Sequence, residues 1–141
     1  MNLSEHFTLE ELTFTNHREY DNTPNQVQID NLTRLAEFLE TVRYTLYDRP
    51  ILVDSGFRSP EVNHAVGSTS VSQHLKGCAA DIRVPDMTPA EVVKAIYDAD
   101  LPYDQLILEL GWTHISIPNT DDMMPRNMAL IIDKSGTRYY A

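Results

Sequence analysis

Ser72-Gln-His-Leu-Lys-Gly-Cys-Ala-Ala-Asp81-Ile82 is the stretch that decides how this chain folds. His74 and Asp81 lie seven positions apart within it, and a second histidine, His114, follows in the strand-like run Trp112-Thr-His-Ile-Ser116. Two imidazoles and one carboxylate form a three-ligand set suited to catalytic zinc, with the fourth position left for water. Groups that share one zinc at about 2 Å each lie no more than about 4 Å apart. Seven residues rise about 10 Å along a helix and about 23 Å along an extended strand. His74 and Asp81 therefore meet only if the chain doubles back between them. Gly77 sits midway and can take the positive φ that such a turn often needs. The stretch thus predicts a reversal at Lys76-Gly77, then a strand over 79–84 carrying Asp81.

The segments on either side read as short elements. Ile51-Leu-Val53 is a short strand delivering Ser55-Gly-Phe-Arg58 to a loop, and Ser59-Pro60-Glu61 starts a helix running to about Ala65. Met87-Thr-Pro-Ala-Glu91 is a strong helix start, with Thr88 as cap, Pro89 first and Glu91 closing a capping box. Val92, Val93, Ile96 and Tyr97 give that helix its buried face. Gln105 to Leu110 and Thr113 to Ile117 alternate as paired strands joined at Gly111, and 128–132 with 137–140 flank Asp133-Lys-Ser-Gly136 as a terminal hairpin. Nearer the start, Thr8 and Glu11 form a capping box for a short helix. Thr23 and Pro24 read as the cap and first residue of a long helix ending at Tyr47-Asp-Arg-Pro50. Its core stripe is Val27, Leu32, Leu35, Phe38, Leu39, Val42 and Leu46. Helices early and strands late predict one α+β domain over 1–141: a small antiparallel sheet with the N-terminal helices packed on it.

Composition narrows the class. The chain has 141 residues, enough for one ordinary core, and 42% hydrophobic with 23% charged residues reads as globular. Lys and Arg number 11 against 21 Asp and Glu, a formal charge of −10. That balance opposes nucleic-acid binding, which relies on basic patches. No apolar run approaches the roughly 20 residues needed to span a bilayer, so no membrane insertion is expected. The opening Met-Asn-Leu-Ser-Glu-His-Phe has neither a basic start nor an apolar stretch, which predicts a protein kept in the cytoplasm until something releases it. A single cysteine, Cys78, excludes an intrachain disulfide and a cysteine zinc finger. Cys78 is read as a small buried bystander. A monomer is expected.

The pattern Ser72-x-His74-x-x-Gly77-x-Ala79-x-Asp81 resembles the signature of the zinc D-Ala-D-Ala carboxypeptidases and related phage endolysin peptidases, whose fold is shared with the hedgehog signalling domain. Asn2 to Leu12, Asp21-Asn-Thr-Pro24, Ser55-Gly-Phe-Arg-Ser-Pro-Glu-Val-Asn63, Asp104-Gln-Leu-Ile-Leu-Glu109 and Trp112-Thr-His-Ile-Ser116 carry the resemblance over most of the chain. It implies one zinc per chain on His74, Asp81 and His114. It also implies an Arg58 guanidinium facing the scissile carbonyl or a substrate carboxylate, and Ser72 beside the substrate. A zinc peptidase needs a carboxylate to move the proton of the attacking water. Several relatives place that acid three positions before the final histidine, where this chain has Gly111. Glu109 matches the Glu of the family's strand and is the preferred base, with Asp104 and Asp86 as alternatives. Trp112 shapes the pocket wall or packs beneath the metal. His6, His17 and His64 lack partners at ligand spacing and are read as ordinary polar residues.

The expected function is zinc-dependent hydrolysis of peptide bonds in peptidoglycan stem peptides, as a D,D-carboxypeptidase or an endopeptidase. A compact phage endolysin released through a holin pore suits the chain. A D,D-dipeptidase acting on small substrates is the enzymatic alternative. A zinc-containing binding or virion-structural module without turnover is the non-enzymatic one.

Overall fold

A computed structural model describes all residues, Met1–Ala141. Two helices open the chain: α1 (Leu9–Leu12) and α2 (Gln26–Thr45). Strand β1 (Leu52–Ser55), helix α3 (Pro60–Ala65), a 3-10 turn (Gln73–Lys76) and strand β2 (Ala79–Arg83) follow. The rest comprises α4 (Pro89–Asp98), β3 (Gln105–Leu108), β4 (Thr113–Ser116), β5 (Met128–Asp133) and β6 (Gly136–Tyr139). The capping boxes read at Thr8/Glu11 and Thr88/Glu91 are both formed, and Ser59 caps α3 with Pro60 inside its first turn.

The start of α2 differs from the sequence reading. Thr23 does not cap it, because its hydroxyl is turned back to Asp21 Oδ1 at 2.6 Å. Asn25 is the cap: its Oδ1 accepts from Gln28 N at 2.9 Å, and Gln28 Oε1 accepts from Asn25 N at 2.8 Å. The helix therefore begins after Pro24 rather than with it. Val27 lies off the core stripe at 68% exposure because five helical positions turn it well away from Leu32, while Leu32, Leu35, Leu39, Val42 and Leu46 are buried as expected. Tyr47 and Asp48, both at φ 59°, terminate the helix region.

The six strands form one sheet in the order β1-β2-β4-β3-β5-β6. Neighbours are antiparallel except β3 and β5, which are parallel. The sheet is therefore mixed rather than antiparallel. Its cause is the connection from Ile117 to Asn127, which carries the chain from β4 past β3 to the far edge of β3. A strand laid there after β4 runs in the direction of β3. The expected terminal hairpin, β5 to β6, is present.

One face of the sheet is the core face. Ala80, Ile82, Leu106 and Ile115 are fully buried there and join α2 and α4 in a single apolar cluster. The opposite face carries a row of directly paired residues across five strands: Ser55, Asp81, His114, Ile107 and Leu130. Paired residues share a face, so Asp81 and His114 emerge side by side, away from the core.

Candidate metal centre

The reversal predicted between His74 and Asp81 is a 3-10 turn closed by Gly77 at φ +77°. Gly77 N donates to His74 O at 3.3 Å and Cys78 N to Gln73 O at 3.1 Å, which folds the turn back onto β2. Two side chains of α2 hold its outer edge: Gln28 Nε2 donates to Leu75 O at 3.2 Å and Asn31 Nδ2 to Lys76 O at 2.9 Å. His74 is thereby delivered over the row that bears Asp81 and His114.

His74, Asp81 and His114 each offer one donor atom, and these lie within 4.8 Å of one another. Asp81 Oδ1 is 3.3 Å from His74 Nε2 and 3.0 Å from His114 Nδ1. His74 Nδ1 faces the Gly56 carbonyl oxygen at 2.7 Å. A carbonyl only accepts, so this contact places the proton on Nδ1 and leaves Nε2 with its lone pair toward the centre. Burial lowers the His74 pKa, although Asp81 opposes the shift, so the ring is neutral near pH 7. Burial alone would raise the pKa of Asp81, but the hydrogen bond from His114 Nδ1 holds it well below the usual carboxylate range. Two imidazoles and an ionised carboxylate, with one nitrogen already fixed by an outer carbonyl, fit a zinc ion.

Arg58 completes the surroundings of Asp81. Its Nη2 donates to Asp81 Oδ2 at 3.1 Å, its Nε to Ser55 Oγ at 3.0 Å and its Nη1, at a longer 3.4 Å, to Asn63 Oδ1. Arg58 N also donates to His74 O at 3.0 Å. The guanidinium therefore orients Asp81 of the candidate metal trio, a task not expected from the residues alone, and still lines the cleft with Nη1 loosely held.

A cleft of about 750 Å³ opens above the trio, and Arg58, Ser72, Glu109 and Trp112 all line it. Ser72 Oγ accepts from His74 N at 3.2 Å, so it caps the ligand-bearing turn and keeps its own proton free. Glu109 Oε2 accepts from Trp112 Nε1 at 3.0 Å, which leaves Oε1 without a side-chain donor. Burial raises the Glu109 pKa, and the nearby Asp81 charge raises it further, against the opposing effects of His114, Trp112 and Arg58. Gly111 lies exposed in the β3–β4 turn. That turn brings Glu109 into the cleft although five positions separate it from His114.

The alternatives for the base lie elsewhere. Asp104 is buried in an ion pair with Arg126, at 2.6 Å from its Nη2. Asp86 is exposed, at φ 68° in the turn before α4. His6 meets Glu40 at 2.6 Å and His17 meets Glu19 at 3.3 Å, while His64 is exposed on α3. Cys78 is fully buried, 3.8 Å from Arg34 Nη2 and away from the trio's donor atoms. Sequence reasoning missed the Trp112–Glu109 bond and the Gly56 carbonyl behind His74. The first needed the turn geometry, and the second links residues 18 apart through backbone that carries no side-chain signal.

Residues 5–116 match the family model described as Peptidase M15. A stretch of 44 residues is 46% identical to the zinc D-Ala-D-Ala carboxypeptidase of Streptomyces albus G, covering 31% of this chain and 17% of that protein's length. The family match spans most of the chain, and the protein belongs to the peptidase M15 family.

Proposed function

We propose that this M15 peptidase is a zinc-dependent hydrolase of peptide bonds in peptidoglycan stem peptides. The observation that carries the reading is the convergence of His74, Asp81 and His114 within 4.8 Å in a cleft that Glu109 and Arg58 also line. The likeness to a zinc D-Ala-D-Ala carboxypeptidase supports the choice of metal and of D-amino-acid peptides. We take the mixed sheet with its N-terminal helices as the fold that D,D-peptidases share with the hedgehog domain.

His74 Nε2, Asp81 Oδ1 and His114 Nδ1 would hold the ion. Zinc bound there supplies Lewis-acid chemistry, acidifying water and polarising a carbonyl. The chain's own groups do the remaining work. Glu109, steadied at Oε2 by Trp112, takes the proton of the attacking water on Oε1 and returns it to the departing amine nitrogen. Its raised pKa matches that exchange, because a carboxyl that is too acidic holds a proton too briefly to deliver it. Arg58 Nη1 donates to the carbonyl oxygen as negative charge grows on it, while Nη2 keeps Asp81 in place. Ser72 Oγ donates to a peptide oxygen of the bound substrate. At about 750 Å³ the cleft has room for more than a dipeptide, which favours an endopeptidase or a carboxypeptidase acting on whole stems. An endolysin held in the cytoplasm until lysis is the cellular role we favour.

Zymography on purified murein, with and without chelator and with zinc added back, tests the reading. Clearing that the chelator abolishes and zinc restores is expected. A zinc-loaded protein that clears no murein and cleaves no D-Ala-terminated peptide would leave a binding or virion-structural module as the better reading.

A further inference from the structure

The corner of the cleft where β3 begins is built around a carboxylate that the proposed reaction does not use. Asp104 is 4% exposed, and both of its oxygens are engaged. Oδ1 accepts the Arg126 backbone N–H at 3.0 Å. Oδ2 accepts from Gln73 Nε2 at 3.1 Å, from Arg126 Nε at 3.0 Å and from Arg126 Nη2 at 2.6 Å. Gln73 Nε2 is itself fixed against Ile117 O at 2.9 Å and Asn119 Oδ1 at 3.0 Å. The Arg126 guanidinium is thus clamped along its Nε–Nη2 edge, while Nη1 donates to no protein atom. The side chain is about half exposed, at 51%, and it lines the cleft. An arginine held this way has given up rotamer freedom before a ligand arrives and still presents free N–H donors from a rigid fork.

Charge selects the ligand. The chain carries −10, and Asp54, Asp81 and Glu109 line this same cleft. Of the two arginines there, Arg58 is committed to Asp81. An acidic group entering the cleft meets the Asp54 and Glu109 carboxylates and, at the Arg126 corner, the guanidinium Nη1 that no protein acceptor occupies.

Register gives the distance. His114 pairs with Ile107, and Ile107 pairs with Leu130 on β5, four positions after Arg126. Strand spacing near 4.8 Å and a rise near 3.3 Å per residue put the two backbones on the order of 15 Å apart. The Arg126 side chain turns back toward Asp104, the residue just before β3, and shortens the gap to roughly 10 Å, about the span of three extended peptide residues. A carboxylate one residue from the scissile bond falls short of it.

We propose that Arg126 is a substrate anchor that binds a free carboxylate carried two to four residues from the scissile bond. Asp104 and Gln73 are positioning residues that aim it. The substrate class is an acidic peptide longer than a dipeptide. The location of the scissile bond rests on the peptidase reading; the binding of the carboxylate does not.

The test uses the zinc-loaded full chain and N-acetylated, C-amidated octapeptides with a central D-Ala-D-Ala bond. Each carries one Glu two, three or four residues to either side of that bond and has a twin with Gln in its place. Trp112 is the chain's one tryptophan and lines the cleft, so its fluorescence reads binding without turnover. Cleavage is followed in parallel. At least one Glu peptide should bind about 10- to 100-fold more tightly than its Gln twin. That ratio should fall below about threefold in Arg126→Gln and take an intermediate value in Arg126→Lys, which keeps charge beside Asp104 but loses the fork. Melting curves and zinc content accompany each variant, and Arg126→Lys carries the test if Arg126→Gln does not fold. Equal binding of every Glu and Gln pair by the wild type, absence of binding by any Glu peptide, or a preference that keeps its full wild-type size in the folded variants would overturn the anchor. Cleavage without acid preference sinks the anchor alone. Acid preference lost in the variants, with no peptide cleaved, sustains the anchor and sinks the endopeptidase form of the reading, because these blocked peptides offer a carboxypeptidase no free C-terminal residue.

Discussion

Replacing Gly77 with alanine asks whether the reversal between His74 and Asp81 assembles the metal centre. Gly77 sits at φ +77° and ψ 23°, a left-handed conformation that costs an L-residue about 1–2 kcal/mol. A Cβ there would also stand 2.8 Å from the Gln28 carbonyl oxygen and 3.1 Å from Leu32 Cγ. The first of these is backbone of α2, so the turn must retreat from the helix. Retreat strains the two bonds that pin it, from Gln28 Nε2 to Leu75 O and from Asn31 Nδ2 to Lys76 O. Each contributes about 0.5–1.5 kcal/mol, so the whole loss comes to roughly 2–5 kcal/mol. For a chain of this size that is a fall on the order of 10 °C in Tm. Zinc affinity should drop about 10- to 100-fold, as when the outer support of a metal ligand is removed. Gly67→Ala is the control. It has a similar φ, +78°, but nothing lies within 4 Å of its added Cβ. It should lose only the conformational part, about 1–2 kcal/mol, and bind zinc normally. Thermal melts of metal-free protein and zinc competition against a chromophoric chelator supply both readouts. A Gly77→Ala protein that melts with Gly67→Ala and binds zinc like the wild type would refute the reasoning.

Four further outcomes follow from the geometry. Glu109→Gln should keep its zinc and its substrate binding but lose roughly 10²–10⁴-fold in turnover, read as kcat on a D-Ala-terminated peptide; full activity would remove Glu109 as the base. His74→Ala and His114→Ala should each lose bound zinc by elemental analysis, and unchanged content in both would dismantle the trio. Arg58→Lys should lower turnover sharply and, because Arg58 Nη2 holds Asp81 Oδ2, also weaken zinc about tenfold; a chelator competition curve matching the wild type would show that Asp81 needs no such support. Burial alone would raise the pKa of Asp104, but the side-chain and backbone hydrogen bonds of Arg126 and that of Gln73 hold it below the ordinary value. A carboxyl depressed in the folded state contributes stability above its unfolded pKa of about 3.9 and loses it as pH falls through the folded value. Asp104→Asn should therefore flatten the acid limb of Tm against pH below about pH 4, and an unchanged limb would show that the pair is not coupled to folding.

Local chemistry made much of this protein legible from its residues. Thr8, Ser59 and Thr88 announce their helices because a cap and its partner lie within one turn of sequence. The spacing of His74, Gly77 and Asp81 announces a reversal because no regular element brings two ligands seven apart together. What stayed hidden depends on distant chain. Thr23 and Asn25 are both good caps, and only the bond from Thr23 to Asp21 decides between them. The parallel pairing of β3 with β5 depends on the path of residues 117–127, which have no periodicity to read. The Asp104–Arg126 clamp joins residues 22 apart across that same path. Glu109 was recognisable, but its bond to Trp112 needed the turn at Gly111 to be built.

The carbonyl of Leu12, the last residue of α1, accepts from Phe57 N at 2.7 Å, and a Cβ on Gly56 would stand only 2.4 Å from that same oxygen. Gly56 in turn offers its own carbonyl to His74. A purification tag, fusion partner or protease nick that disturbs the first dozen residues would thus reach the metal through two backbone contacts. Ala141 is exposed beyond the last strand and takes part in neither of these two contacts, although it lies near Arg126. Workers preparing this protein should attach their handles at the C-terminus, and any library that grafts new leading segments should be screened for metal retention before it is screened for turnover.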